Sequence, residues 1–256
     1  MMQKSFLRRF AAAAVCGALS FGVLTACEQK QVTLDGEEVL NFQAPAADEE
    51  VAVITIKDYG DVKIRLFPDE CPKGVENFKT LIQNGYYDEL IFHRVVDNFV
   101  IQGGDPTGSG SGGDDCWKSG GFEQTISPKL RHFVGAVAYA VAAQDKLNNS
   151  QFYIVTGEQI NEDYIRIMEQ NYGKAFTPAV KNLYYIYGGQ PFLDDGYEVF
   201  GQVFDGLEYC LDVQKVPVNG SSKPLSSVVI EKAQIVKYDG TVDYRHGQGE
   251  PITPAQ

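Results

Sequence analysis

The residues of this chain that are best suited to chemistry lie between Phe92 and Asp105, in a stretch rich in valine, isoleucine and phenylalanine. Asp97-Asn98 divides the stretch into two short β-prone segments, which predicts a hairpin with a two-residue turn. Arg94 and Gln102 lie among these apolar residues. A guanidinium at an apolar surface is costly unless it has a partner or a task. By its chemistry alone, the pattern fits an ordinary half-buried hairpin whose arginine pairs with a carboxylate.

Further blocks of sequence, taken in chain order, give this stretch a more specific meaning. The blocks are Phe92-His93-Arg94 with Phe99 and Gln102-Gly103-Gly104-Asp105, then Gly135–Ala140, Ser150–Val155, Phe192-Leu193-Asp194 and Val199-Phe200-Gly201. Together they resemble the signature of the cyclophilins, a family of peptidyl-prolyl cis-trans isomerases, over roughly residues 50–238. Several blocks in the family's order are far more specific than any single block.

The resemblance implies roles for the matching residues. Arg94 would donate a hydrogen bond to the prolyl nitrogen while the amide twists, and Gln102 would position Arg94 or hold the substrate backbone. Substrate contacts would come from pocket residues and from residues that pair with the substrate backbone, namely Phe99, Val100, Tyr153, Phe192, Leu193, Tyr197, Ala140, Val141, Ala142 and Gln151. A two-residue turn places Arg94 opposite Ile101 and Gln102 on the other face, so the role of Gln102 requires a twist or a bulge.

Four positions depart from the best-known pattern of the family. Val100 stands in place of the usual methionine, and Tyr197 in place of a common histidine. Val141-Ala142 replaces a frequent asparagine-alanine pair. Phe192 replaces a common tryptophan, which leaves sensitivity to cyclosporin open. Because Arg94 and both glutamines remain, we expect activity to persist.

The N-terminal sequence predicts export and lipidation. Three basic residues and no acid precede an apolar stretch from Phe10 to Ala26, a pattern typical of a secretory signal. Leu24-Thr25-Ala26-Cys27 resembles a bacterial lipobox. We therefore expect residues 1–26 to be removed and Cys27 to anchor the protein to the outer face of the bacterial membrane, in the cell envelope. The alternative is a membrane-spanning anchor, but the apolar stretch has 17 residues, slightly fewer than a helix needs to span a bilayer.

The remaining sequence divides into a predicted flexible tether at 27–50, a cyclophilin-like domain at 51–238 and a polar tail at 239–256. Many short strand patterns favour a mainly β, closed antiparallel barrel, and the resemblance implies eight strands with a helix at each open end. Residues 157–191 include a segment that most compact cyclophilins lack. Two amphipathic patterns there, separated by Gly173 and Thr177-Pro178, predict an inserted helical hairpin. Its first helix is expected to bury one face, formed by Ile160, Tyr164, Ile167 and Met168.

Composition and motifs exclude several other functions. A net charge of −12 does not suit nucleic acid. The 3 histidines lie at no metal-ligand spacing, and no Gly-x-Ser-x-Gly motif is present. Gly108, Gly110 and Gly113 match a dinucleotide-binding pattern, but acidic residues and no helical pattern follow, which predicts a flexible loop. Cys71, Cys116 and Cys210 predict neither a disulfide framework nor a zinc site, and both one disulfide and buried free thiols stay open.

We therefore predict a peptidyl-prolyl isomerase that needs no cofactor or metal and acts on proline-containing unfolded or flexible polypeptides among exported proteins. Because a fold does not fix a function, a peptide-binding chaperone or scaffold without turnover is the alternative. A purely structural lipoprotein of the envelope is a third hypothesis.

Overall fold

The computed structural model describes residues 33–34, 37–141, 146–157 and 159–240. The strands are β1 Thr33–Leu34, β2 Glu37–Glu38, β3 Glu50–Ile56, β4 Gly60–Leu66, β5 Arg94–Val96, β6 Val100–Gly103, β7 Ala136–Tyr139, β8 Phe152–Val155, β9 Val199–Asp205 and β10 Ile230–Lys237. The helices are α1 Pro72–Gln83, α2 Glu162–Tyr172, α3 Pro178–Tyr187 and α4 Leu207–Val213, with a 3-10 turn at Pro191–Leu193. The mainly β class predicted from the sequence is confirmed.

Eight of the strands form one antiparallel sheet in the order β10-β3-β4-β9-β7-β8-β6-β5. The predicted closed barrel is wrong, because the edge strands β5 and β10 do not pair and the sheet is a curled half-barrel. Near this gap the only bridge between described residues is the isolated one from Ile91 to Val229. The segment after Pro217 folds back on itself, since Val218 bridges to Pro224. This segment therefore contacts β5 through single hydrogen bonds and does not form the hydrogen-bond ladder of a paired strand.

Helix α1 covers the apolar face of this sheet, as its sequence predicts. Pro72 begins the helix, where its missing N–H costs no hydrogen bond, and Gly85 follows its end with a left-handed φ of 68°. The expected apolar face is buried and consists of Val75, Phe78, Leu81 and Ile82. The ring of Phe78 meets that of Phe152 edge-on at 5.5 Å, which fixes the helix over β8.

The inserted hairpin is helical, but the buried face of its first helix differs from the predicted one. Asn161 and Thr177 cap α2 and α3 through their side chains, and Gly173 ends α2 in a left-handed conformation. On α2 the buried residues are Ile165 and Met168, whereas Ile167 is 43% exposed. The difference arises because the helix packs on a second cluster that the periodicity alone did not reveal.

This second cluster joins the insertion to the segment before the sheet. Its buried members are Val39, Phe42, Phe133, Ile160, Ile165, Met168, Phe176, Val180, Leu183 and Tyr184. The ring of Phe42 lies 4.8 Å from that of Phe133 and 4.3 Å from that of Tyr187. Residues 39–42 therefore belong to the folded domain, and the prediction of a flexible tether is wrong for them.

Some predictions for the two ends of the chain fall on residues that the structure does not describe, whereas the prediction for the three cysteines can be compared with it. The signal at 1–26, the lipid site Cys27 and residues 241–256 of the tail lie outside the described residues. Within the described part of the chain, no helix is long and apolar enough to cross a bilayer. The described cysteines, Cys71, Cys116 and Cys210, are free thiols. Burial raises the pKa of the Cys71 and Cys210 thiols.

The packing of Phe42 predicts a large effect on stability. Its side chain is only 6% exposed, so Phe42→Ala should lower the free energy of unfolding by about 3 kcal/mol through lost burial and a new cavity. Urea unfolding measures this change. The matched control is Leu225→Ala, because Leu225 is 68% exposed and its loss should change the free energy by less than about 0.5 kcal/mol. Equal effects of the two substitutions would contradict the packing.

Candidate active site

The hairpin that carries Arg94 turns over three residues, 97–99, and the predicted two-residue turn is wrong. Its register pairs Val96 with Val100, Val95 with Ile101 and Arg94 with Gln102. Asn98 takes a left-handed φ of 55°, a conformation that asparagine tolerates better than most residues. The extra turn residue shifts the register by one position. Arg94 and Gln102 therefore lie directly opposite each other on one face of the sheet, and no bulge is needed.

Arg94 is held by a row of side-chain amides that we call the amide row, Gln102 and Gln151. The Nη1 atom of Arg94 donates to Gln102 Oε1 at 3.5 Å, a long hydrogen bond. Gln102 Nε2 in turn donates to Gln151 Oε1 at 3.0 Å. Gln151 Nε2 then donates to the carbonyl oxygens of Gly112 at 2.6 Å and Gly110 at 3.2 Å. Every amide oxygen in the row thus faces towards Arg94, which favours the positive charge there.

The loop that ends the amide row is fixed by Asp105, a carboxylate that is only 1% exposed. It accepts backbone N–H groups of Thr107 at 2.7 Å, Gly110 at 2.6 Å and both Ser109 and Gly112 at 3.1 Å. Burial by itself raises the pKa of Asp105, but the hydrogen bonds outweigh it and hold the pKa well below its usual range. The glycine-rich segment is a loop, as predicted, and it serves to present two carbonyl groups to Gln151.

Aromatic rings form the other side of Arg94. Its guanidinium carbon lies 5.5 Å from the ring centroid of Phe99, and Phe99 stacks on Phe192 with the ring centroids 5.7 Å apart. Phe192 is 37% exposed and lies in the 3-10 turn that ends the insertion. Gln190 Nε2 of the same region donates to the Asn98 carbonyl at 2.8 Å. The insertion therefore holds the hairpin turn through Gln190, and Phe192, which directly follows the insertion, supplies one ring of an open apolar surface.

Tyr153 lies beside this surface across the sheet, since it pairs with Gln102 in the register of β6 and β8, and its side chain is buried. Its ring approaches that of Tyr197 edge-on at 6.2 Å. Val100 and Leu193 are buried in the main core, so they support the surface from below. The structure thus brings Arg94 together with both glutamines and the predicted aromatic residues on one face of the sheet, which we call the cleft.

Comparisons with known proteins identify the family to which this cleft belongs. The sequence profile of the family described as cyclophilin type peptidyl-prolyl cis-trans isomerase/CLD matches residues 51–235. The chain belongs to this family of enzymes.

Individual relatives cover most of the same region. Candidate peptidyl-prolyl cis-trans isomerases of Staphylococcus haemolyticus and Staphylococcus epidermidis are each 37% identical over 188 residues, 73% of this chain and 92% and 93% of theirs. A crystal structure of a Cryptosporidium parvum cyclophilin type isomerase, obtained in the presence of the dipeptide Ala-Pro, is 30% identical with a TM-score of 0.58. That match covers 73% of this chain and 99% of the other.

In this cyclophilin the predicted backbone-pairing segment is only partly described. The N–H group of Ala140 donates to the Gln151 carbonyl at 3.0 Å. Val141 is half-buried next to it, and Ala142 lies outside the described residues. The hydrogen bond ties the segment to the same glutamine that ends the amide row, so the two parts of the cleft share one support.

Two features of the cleft were missed from the sequence. One is a buried hydrogen bond of 3.0 Å between Tyr153 Oη and His132 Nε2, backed by Asp194; the only signal was the Asp194 block itself. The other is the environment of the His93 ring, which is buried next to Arg94. Both of its ring nitrogens lack a hydrogen-bond partner among the described residues. Burial lowers the pKa of His93, which favours a neutral ring beside Arg94.

The support given by Asp105 predicts a characteristic pH dependence. Asp105→Asn should lower the free energy of unfolding at pH 7 by about 2 kcal/mol, because an amide nitrogen then faces buried N–H donors. The pKa of Asp105 is lower in the folded state than its unfolded value, about 3.9. Its stabilisation is therefore complete above that value and is lost as the pH falls below it.

Urea unfolding of the wild type and of Asp105→Asn should accordingly show a difference at pH 7 that shrinks as the pH falls from about 4 to about 2. The control is Asp69→Asn, a substitution of an exposed aspartate, which should leave both curves unchanged within about 0.5 kcal/mol. A difference between wild type and Asp105→Asn that stays constant down to about pH 2 would contradict this role of the carboxylate.

Proposed function

We propose that Arg94 stabilises the twisted prolyl amide as this enzyme isomerises Xaa-Pro bonds. Rotation about the C–N bond removes its partial double-bond character and meets a barrier of about 20 kcal/mol. No covalent step is required, so the enzyme need only bind the twisted form more tightly than either planar form. In the twisted form the prolyl nitrogen gains a lone pair, and an N–H donor aimed at this nitrogen lowers the barrier.

One observation carries this proposal: the guanidinium of Arg94 is held by an amide oxygen and an aromatic face instead of a carboxylate. Among the described residues, Arg94 forms no ion pair. Its charge is therefore not neutralised by a neighbour, while Gln102 and the Phe99 ring still restrict its position. An ordinary structural arginine in a half-buried hairpin would pair with an acid, as the simpler interpretation of the sequence expects.

The apolar surface beside Arg94 suits the ring of a proline residue. Phe99, Phe192 and Tyr197 expose aromatic carbon there. Contact with these ring faces can bind the compact apolar ring of a proline and places no requirement on the substrate residues next to it. We propose that the backbone of the substrate lies along Ala140 and Val141, with Gln102 or Gln151 holding a substrate carbonyl group. Unfolded or flexible polypeptides fit this shallow cleft because their Xaa-Pro bonds are accessible.

Substitution of Arg94 tests the mechanism. Arg94→Ala should lower kcat for cis-to-trans isomerisation of a short Xaa-Pro peptide by about 100-fold or more, the loss expected for one preorganised donor. The affinity for the peptide should change by less than about five-fold, because the apolar surface remains. Protease-coupled or NMR exchange assays measure kcat, and an NMR titration measures the affinity. Arg166→Ala is the matched control, since Arg166 is an exposed arginine on α2.

The same experiment separates the enzyme from a binding module. Equal losses of turnover and affinity in Arg94→Ala would assign Arg94 to peptide binding. A wild-type protein that binds the peptide without accelerating isomerisation would be a chaperone or scaffold. Turnover that persists in Arg94→Ala would show that another group stabilises the twisted amide.

We also propose that the enzyme acts outside the cytoplasm, anchored by a lipid on Cys27, on newly exported chains whose slow proline steps limit folding. The support is the N-terminal sequence, with its basic start, apolar stretch and Leu24-Thr25-Ala26-Cys27. Cys27→Ser should move the protein from the membrane fraction to the soluble fraction of a bacterial host and remove the mass of a diacylglyceryl group. Cys116→Ser is the control. A Cys27→Ser protein that stays in the membrane fraction would contradict the anchor.

A further inference from the structure

A buried network of four side chains connects the helical insertion to the cleft. We call it the tyrosine network, and it consists of Tyr184, Asp194, His132 and Tyr153. The Tyr184 hydroxyl donates to Asp194 Oδ2 at 2.7 Å, and Asp194 Oδ1 lies 2.9 Å from His132 Nδ1. The other ring nitrogen, His132 Nε2, lies 3.0 Å from the hydroxyl of Tyr153. All four residues are buried, and Tyr184 lies on α3 of the insertion.

The donors and acceptors in this network have one consistent order. Asp194 also accepts the backbone N–H of His132 at 2.9 Å, and the guanidinium of Arg131 lies 3.8 Å from its second oxygen. A carboxylate can only accept, so His132 Nδ1 carries the proton that faces it. The second ring nitrogen, Nε2, forms the other hydrogen bond of the ring, to the Tyr153 hydroxyl. The hydroxyl is thus directed inwards, away from the cleft.

This order fixes the ring of Tyr153 from behind. A buried hydroxyl that loses its partner is destabilised by its own desolvation, so Tyr153 keeps the orientation that His132 offers. Tyr153 pairs with Gln102 across the sheet and meets Tyr197 edge-on, so its orientation sets the shape of the apolar surface. The Tyr184 hydroxyl in turn helps to hold Asp194 where His132 needs it.

We propose that Tyr184, Asp194 and His132 are positioning residues through which the inserted hairpin sets the fit of the proline-binding surface at Tyr153. This inference rests on the proposed function for the site that is affected, but the coupling itself is a property of the free protein. The insertion then acts on substrate binding without touching the substrate. The preference for a particular substrate residue at this surface is therefore set by the insertion as well as by the residues of the cleft.

Removal of one remote hydroxyl tests the proposal. Tyr184→Phe keeps the ring in the second cluster and removes the hydroxyl that donates to Asp194. We expect an unchanged fold by thermal unfolding, a rise in KM for an Xaa-Pro peptide of about five-fold and a kcat within two-fold of wild type, as for the loss of one buried hydrogen bond. Tyr185→Phe is the matched control, because Tyr185 is on the same helix and its hydroxyl forms no hydrogen bond among the described residues. An unchanged KM in Tyr184→Phe would overturn the proposal.

A double-mutant cycle distinguishes coupling from general loosening. Tyr153→Phe should raise KM by a similar factor, and adding Tyr184→Phe to it should raise KM no further, because the connection is already broken at Tyr153. If the two effects multiply, the residues act independently and the network does not couple the insertion to the cleft.

NMR of the free protein keeps the test independent of turnover. The ring resonances of Tyr153 should shift in Tyr184→Phe and stay in place in Tyr185→Phe. If the wild type proves inactive while these resonances shift, the isomerase proposal fails and the coupling stands. If the wild type is active and the Tyr153 resonances do not respond to Tyr184→Phe, the coupling fails alone.

Discussion

The contact between Arg94 and Gln102 is the interaction on which the rest of the cleft depends. A guanidinium can donate a strong hydrogen bond to the amide of a bound peptide only if it is held in place by groups that do not neutralise its charge. An amide oxygen meets this requirement, whereas a carboxylate would compete with the substrate. Gln102 is itself oriented by Gln151, and Gln151 by two carbonyl groups of the loop that Asp105 fixes. The amide row is therefore held in place by a carboxylate one loop away.

The two sides of the cleft are built on the same physical principle. Asp105 on one side and Asp194 on the other are buried carboxylates, and each is satisfied by several N–H or O–H donors. A buried charge is tolerated only when such donors surround it, and a network of this kind permits few alternative arrangements. Each carboxylate therefore fixes one side, the amide row through the glycine-rich loop and the Tyr153 ring through His132.

Local features of this fold could be predicted from the sequence, and long-range ones could not. The caps at Gly173 and Thr177-Pro178 and the short strand patterns are local signals, so the two helices of the insertion and the mainly β class were predicted correctly. The predicted register of the Arg94 hairpin was wrong because Phe99, a residue typical of strands, belongs to the turn. Val39 and Phe42 lie in a short apolar segment of the predicted tether, and no local pattern indicates that they are buried because their partners lie far along the chain. For the cleft, the resemblance supplied Arg94, the glutamines and a positioning role for Gln102, but it gave no sign that Gln151 and the loop fixed by Asp105 hold Gln102 in turn.

The position of the insertion in the chain brings both of its ends to the cleft. The chain leaves β8 beside the hairpin turn at Asn98, passes through α2 and α3, and returns at Phe192 against Phe99. Both ends of the insertion therefore meet the cleft, while its helices pack on the separate cluster around Phe42. A non-covalent catalyst gains its rate from groups that are already in position before the substrate binds. A helical hairpin anchored in its own core can hold such groups more firmly than a short surface loop, because its position is over-determined by packing outside the sheet.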